Sequence, residues 1–112
     1  MKIETTYTAR IYVGFRERYT DTIHSVQEVR DWLQEYCDVV GFCVTIEQTE
    51  FIYKNGSEPG CVVGIINYPR FPETFLALRG KAVYIAEHLR ELCNQGKVSI
   101  VFPDETVMIE AE

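Results

Sequence analysis

Basic residues are scarce in this chain: 112 residues carry eleven Lys and Arg against seventeen Asp and Glu, a formal net charge of −6. That balance argues against a protein that grips polymeric nucleic acid, whose phosphates call for a basic stripe. One small nucleotide held by two or three well-placed cations stays compatible with it. Long apolar runs are missing too. The longest, Val62-Val63-Gly64-Ile65-Ile66, falls far short of the ~20 residues of a membrane-spanning helix, so no membrane partner is expected. The opening Met1–Thr6 has no apolar signal-peptide core, and a cytoplasmic setting is expected. Cysteines number four, at positions 37, 43, 61 and 93, with no Cys-x-x-Cys and no histidine at ligand spacing. They read as small apolar thiols in a reduced core, and no metal or other cofactor is implied. No Gly-x-Ser-x-Gly elbow, phosphate-binding glycine loop or His-Glu-x-x-His occurs.

What is present is an ordinary globular mixture, 46% hydrophobic and 25% charged, of a length that suits one domain over residues 1–112. Tyr7 to Phe15 alternates as a strand, with Ile11 and Val13 on one face and Arg10, Tyr12 and Gly14 on the other. Ser25-Val26-Gln27-Glu28 fits a capping box, and Val26, Val29, Leu33, Tyr36 and Cys37 recur at helical steps up to Gly41. Phe42 to Tyr53 reads as a long strand rich in β-branched and aromatic residues, polar over Glu47–Glu50. Asn55-Gly56 and Pro59-Gly60 mark Lys54–Gly60 as a hairpin loop leading into a strand over Cys61–Asn67. Pro69 and Pro72 precede a second amphipathic helix over Phe75, Leu78, Ala82, Ile85, Leu89 and Leu92, which Gly80 divides near its start and Gly96 terminates. Val98–Phe102 forms a strand, and Val107–Ile109 a short final one. The order predicts an α+β fold: a ferredoxin-like split βαβ antiparallel sheet with two helices packed on one face and a short C-terminal strand. One sheet face then stays open unless a second copy covers it, which points to a homo-oligomer.

The candidate chemistry lies in two aromatic loops. Phe51, Tyr53, Tyr68 and Phe71 offer ring faces for stacking, while Asn55, Asn67 and Arg70 offer amides and a guanidinium for the edge of a ring or a phosphate. The alternative reading makes Phe51 and Phe71 core and Tyr68 a cap on the sheet. Arg16 and Arg18 follow the first strand and are expected to approach Arg70, three cations that would need an anion or acidic neighbours; local pairing with Glu17, Asp21 or Glu73 is the other reading. His24 and His88 read as structural or surface histidines, and Asp104-Glu105 as solvated turn carboxylates pointing to opposite sides.

Ile11-Tyr12-Val13-Gly14, the helix, the long hairpin and the closing strand Val98-Ser99-Ile100-Val101-Phe102 resemble small proteins of phage genomes, among them the anti-Thoeris sponge family. That resemblance implies an oligomer that captures a cyclic ADP-ribose signal without chemistry, in the cytoplasm of a host cell. It agrees with the missing catalytic motifs, and the expectation is non-enzymatic sequestration of a small nucleotide-like ligand, with no catalytic residues. An acidic protein-interaction module that inhibits a host enzyme or defence protein is the alternative.

Overall fold

The computed structural model describes Met1–Glu112. Five strands and two helices follow one another as β1 (Thr8–Gly14), α1 (Val26–Val40), β2 (Thr45–Tyr53), β3 (Gly56–Ile66), α2 (Phe75–Leu92), β4 (Lys97–Val101) and β5 (Thr106–Glu110). They form one antiparallel sheet in the order β2-β3-β1-β4-β5. This is the split βαβ arrangement with one strand added at the β4 edge, as the element order predicts.

Alternation along the strands decides which face the helices cover. Ala9, Ile11 and Val13 of β1 lie opposite Ile65, Val63 and Cys61 of β3, and all six are buried. Val98 and Ile100 continue the row on β4, and Val29 and Leu33 of α1 with Leu78, Ile85 and Leu89 of α2 close it from above in one apolar cluster. Cys61 and Cys93 belong to that cluster, and burial pushes both thiols up to about 12, so they are inert apolar side chains. Cys37 and Cys43 are only half-buried, unlike the four core thiols expected.

Several boundaries depart from the sequence pattern for local reasons. The hairpin turn is only Lys54-Asn55, because Asn55 takes the left-handed conformation (φ 62°) and Gly56 already pairs with Tyr53. β3 therefore begins before Pro59 and not at Cys61. Asn94 (φ 46°), not Gly96, is the left-handed residue after α2. The second helix runs unbroken through Gly80, although an interior glycine costs about 1 kcal/mol relative to alanine.

α1 starts where predicted. Ser25 caps it, its side chain accepting from the Glu28 amide at 3.3 Å while the Glu28 carboxylate accepts from the Ser25 amide at 2.7 Å. His24 fastens this cap to the preceding loop, with Nδ1 3.0 Å from Glu28 Oε1 and Nε2 2.9 Å from Glu17 Oε2. Desolvation pulls the His24 pKa down, but the hydrogen bonds and charges of Glu28 and Glu17 outweigh it and leave it above the ordinary 6.5. His24 holds the Glu17 and Glu28 carboxyls below their ordinary 4.5. The histidine's contribution to stability is therefore complete below pH 6.5 and lost as pH rises through its folded value. The carboxylates' contribution is complete above pH 4.5 and lost as pH falls through their folded values. Stability from this latch is thus expected to be greatest between those limits. Thermal midpoints of wild type should fall between pH 6 and 8 more than those of His24→Gln, and parallel curves would refute the latch.

Candidate functional site

The residues singled out in the sequence fall into two groups at opposite ends of β3. Antiparallel pairing sets Gly14 against Gly60 and Thr8 against Ile66, so the exit of β1 lies beside the entry of β3, not beside its end. Phe51, Tyr53 and Asn55 lie at the hairpin end with Arg16, while Asn67, Tyr68, Arg70 and Phe71 lie beyond the other end, roughly 33 Å away at the rise of an extended strand. Arg16 and Arg18 consequently do not approach Arg70.

Each group is held by local bonds. Arg16 donates from Nη2 to Ser57 O at 3.2 Å, and its amide donates to Glu58 Oε2 at 2.8 Å. Arg18 donates to Asn94 Oδ1 at 3.3 Å and lies 5.4 Å over the ring of Tyr19. At the far end Asn67 donates to Thr5 O and accepts from the Glu73 amide, both at 3.0 Å, so its amide latches the N-terminal segment to the start of α2. Tyr68 and Phe71 pack on each other at 5.5 Å, and Arg70 is exposed.

Between the two ends lies the sheet face that no helix covers. Register brings Thr45, Gly64 and Arg10 into one row and Glu47, Val62, Tyr12, Ser99 and Met108 into the next. Arg10 approaches Glu47 at 3.9 Å and lies 6.0 Å from the Tyr12 ring, whose hydroxyl it reaches at 3.5 Å. Phe51 meets Tyr12 edge-on at 6.5 Å and lies against Gly60, where a Cβ would overlap the ring. Val62 is only 5% exposed on this face. Thr45 leans over Gly64 in the space a side chain would fill. The face thus offers a guanidinium for a carboxylate, a carboxylate for an amine, and two ring faces for a cation or a heterocycle.

Of this set, sequence reading named only Phe51 as a site residue. The signal for the rest was the alternation that puts Arg10 and Tyr12 on the non-core side of the first strand. Glu47 was visible as part of a polar stretch, but its pairing with Arg10 depends on the register of β3 between them.

β2 and β3 continue past the end of β1 as a two-stranded arm. Ile52 is 80% exposed and Tyr53 48% exposed on it.

No protein-family model matches the chain, and no curated protein does. Among solved structures, a phage SAM lyase in its apo state superposes with a TM-score of 0.75 at 19% identity, covering 95% of this chain and 90% of the other. A phage SAM lyase in complex with S-methyl-5'-thioadenosine superposes with a TM-score of 0.78 at 16% identity, covering 100% of this chain and 95% of the other. At those identities the likeness establishes the fold. The neighbours are phage proteins, and one holds a small nucleoside ligand, which agrees with the coarse part of the phage resemblance. They are also enzymes, and this overturns the expectation of a non-enzymatic sponge. The expectation rested on the sponge resemblance and on missing catalytic motifs, and those motifs report one kind of chemistry, that of a nucleophile paired with a base.

Proposed function

We propose that this chain is the subunit of a homo-oligomeric lyase that splits S-adenosylmethionine, acting in the cytoplasm of a phage-infected cell. The observation that carries the reading is the superposition over almost the whole chain on SAM lyases, one of them holding S-methyl-5'-thioadenosine. Release of that thioether from the sulfonium breaks the S–Cγ bond, and the electron pair moves to sulfur. The four-carbon fragment is completed in one of two ways. Its own carboxylate attacks Cγ and closes a five-membered lactone, or a base removes a Cβ proton and leaves an unsaturated amino acid.

The open face favours the first route. Arg10 is placed to orient the substrate carboxylate, Glu47 to hold its ammonium, and the rings of Tyr12 and Phe51 to face the sulfonium. Positioning and electrostatics then supply the rate. Incubation with S-adenosylmethionine should yield S-methyl-5'-thioadenosine and homoserine lactone by mass spectrometry. In Glu47→Gln, KM should rise about tenfold with kcat retained, the pattern of lost uniform binding. An unsaturated amino acid as co-product, or a collapse of kcat in Glu47→Gln, would move Glu47 to general base. An intact substrate would end the lyase reading.

Two features support association of copies. A two-stranded arm is marginal alone, and this one exposes Ile52 and Tyr53. The predicted ligand residues Arg16, Arg18, Phe51, Tyr53 and Asn55 at one end, and Asn67, Tyr68, Arg70 and Phe71 at the other, come together when one copy's arm reaches the next copy's far end. Such a head-to-tail contact forms a closed ring where its rotation closes and an open filament where it does not. Mixing Tyr53→Ala with Arg70→Ala, each impaired alone, should restore part of the activity through a mixed interface with both native residues. Monomers in native mass spectrometry would exclude this arrangement.

A further inference from the structure

A further concavity of the molecule lies away from the open sheet face. It is a groove of about 640 Å³ on the outer surface of the helical layer, between α1 and α2. Its volume falls within the roughly 300–1,000 Å³ of small-molecule sites. Trp32 and Tyr36 of α1 and Gly80 and Tyr84 of α2 line it, with Glu35 and Lys81.

The rings are arranged as a wall. Trp32 stacks on Tyr36 at 5.4 Å and 11°, Tyr36 on Tyr84 at 5.4 Å and 28°, and Trp32 on His88 at 5.5 Å and 24°. Where Tyr36 meets the buried ring of Phe42, by contrast, the two close edge to face at 87°. The Tyr84 and His88 rings lie 4.1 Å apart, and Tyr84, still half-exposed, lines the groove, which leaves part of its ring surface to a further ring. His88 is fixed by Nδ1 donating to Tyr84 O at 2.9 Å, which places its proton on Nδ1.

Gly80 is an independent observation. It sits inside α2 without a left-handed φ, and nothing lies within 4 Å of the position a Cβ would take. Neither backbone geometry nor packing within this chain calls for glycine there, and the residue weakens the helix. What its missing side chain leaves is space in the groove wall. Of the two charged residues lining the groove, Glu35 takes part in no ion pair, whereas Lys81 is paired with Glu73. An aromatic slot with one free carboxylate matches a flat heterocycle that bears an amino group.

We propose that this groove binds an aminopurine nucleoside, its ring against the Trp32–Tyr36–Tyr84 wall over Gly80 and its exocyclic amine donating to the Glu35 carboxylate. The site is separate from the open sheet face, because the helices lie on the opposite side of the sheet.

Trp32 is the sole tryptophan of the chain, so its fluorescence reads this groove directly. Adenosine titrated into the full-length protein should give a saturable change in emission. Inosine, with a carbonyl in place of the amine, should bind about tenfold more weakly, the scale of one hydrogen bond to a charged group. Gly80→Leu should abolish the response while keeping the thermal midpoint and the formation of S-methyl-5'-thioadenosine. Tyr84→Ala, which needs no insertion into the groove, should weaken adenosine about tenfold through the lost ring contact. No saturable response at millimolar adenosine, or an unaltered one in folded Gly80→Leu, overturns the proposal. Loss of lyase activity together with the response overturns the separation of the two sites. The fluorescence arm does not depend on turnover, so failure of the lyase reading leaves it intact and distinguishable.

Discussion

Gly60→Ala is expected to lower stability by about 3 kcal/mol, the upper end of the usual cost of overpacking. A Cβ at this position would overlap the Val13 carbonyl on one side and the Phe51 ring on the other. The ring can swing away. The carbonyl belongs to β1 where it pairs with β3, so relief there means pulling the two strands apart. Stabilities of single domains are about 5–15 kcal/mol, so much of the total is at stake, and the thermal midpoint should fall by roughly 10–20 °C. Gly64→Ala supplies the internal control. Its Cβ would meet only the Thr45 hydroxyl, which a rotamer change removes, and its cost should stay within about 1 kcal/mol. Urea unfolding of both variants checks the contrast. Equal midpoints would mean that Phe51, not the strand pairing, sets the space at Gly60.

The second large effect concerns turnover. In Arg10→Ala, kcat/KM for S-methyl-5'-thioadenosine formation should drop by about 10- to 150-fold, the range for losing a hydrogen bond to a charged group. Folding should hardly notice. The Arg10–Glu47 pair spans 3.9 Å with side chains 46% and 62% exposed, and such surface pairs are worth about 0–1 kcal/mol. Arg10→Lys should recover only part of the rate, because an ammonium cannot reproduce the planar two-point grip on a carboxylate. Unchanged kinetics in a folded Arg10→Ala would remove the open face from the reaction and shift the search to the arm and the Asn67–Phe71 loop.

Much of the fold is written in local sequence. The Ser25–Glu28 capping box, the helical spacing of Leu78, Ala82, Ile85 and Leu89, and the alternation of Ile11 and Val13 are consequences of backbone geometry within a few residues, and each marked its element correctly. The misplaced boundaries had competing local signals. Pro59-Gly60 carries turn chemistry, yet cross-strand pairing with Glu50 and Thr49 keeps both residues in β3. Gly96 and Asn94 both tolerate the left-handed region, and the chain uses Asn94.

The site was legible only in fragments, and for a reason of scale. Sequence by itself determined an acidic α+β chain with an apolar helix-facing side and aromatic loops, because composition and short-range periodicity dictate these, and the open sheet face followed from the topology that the element order implies. Which loops share an end of the sheet, and that Arg10 faces Glu47 across β3, depended on antiparallel register between segments some forty residues apart. Tyr36 showed the same limit. Its helical spacing assigned it to the core-facing stripe, yet it lines an open groove with Trp32 and Tyr84, because the path of α2 beside α1 leaves that edge of the stripe uncovered. Periodicity reports which face of an element is apolar; only the packing of one element on another decides whether that face is filled by the chain or left for a ligand.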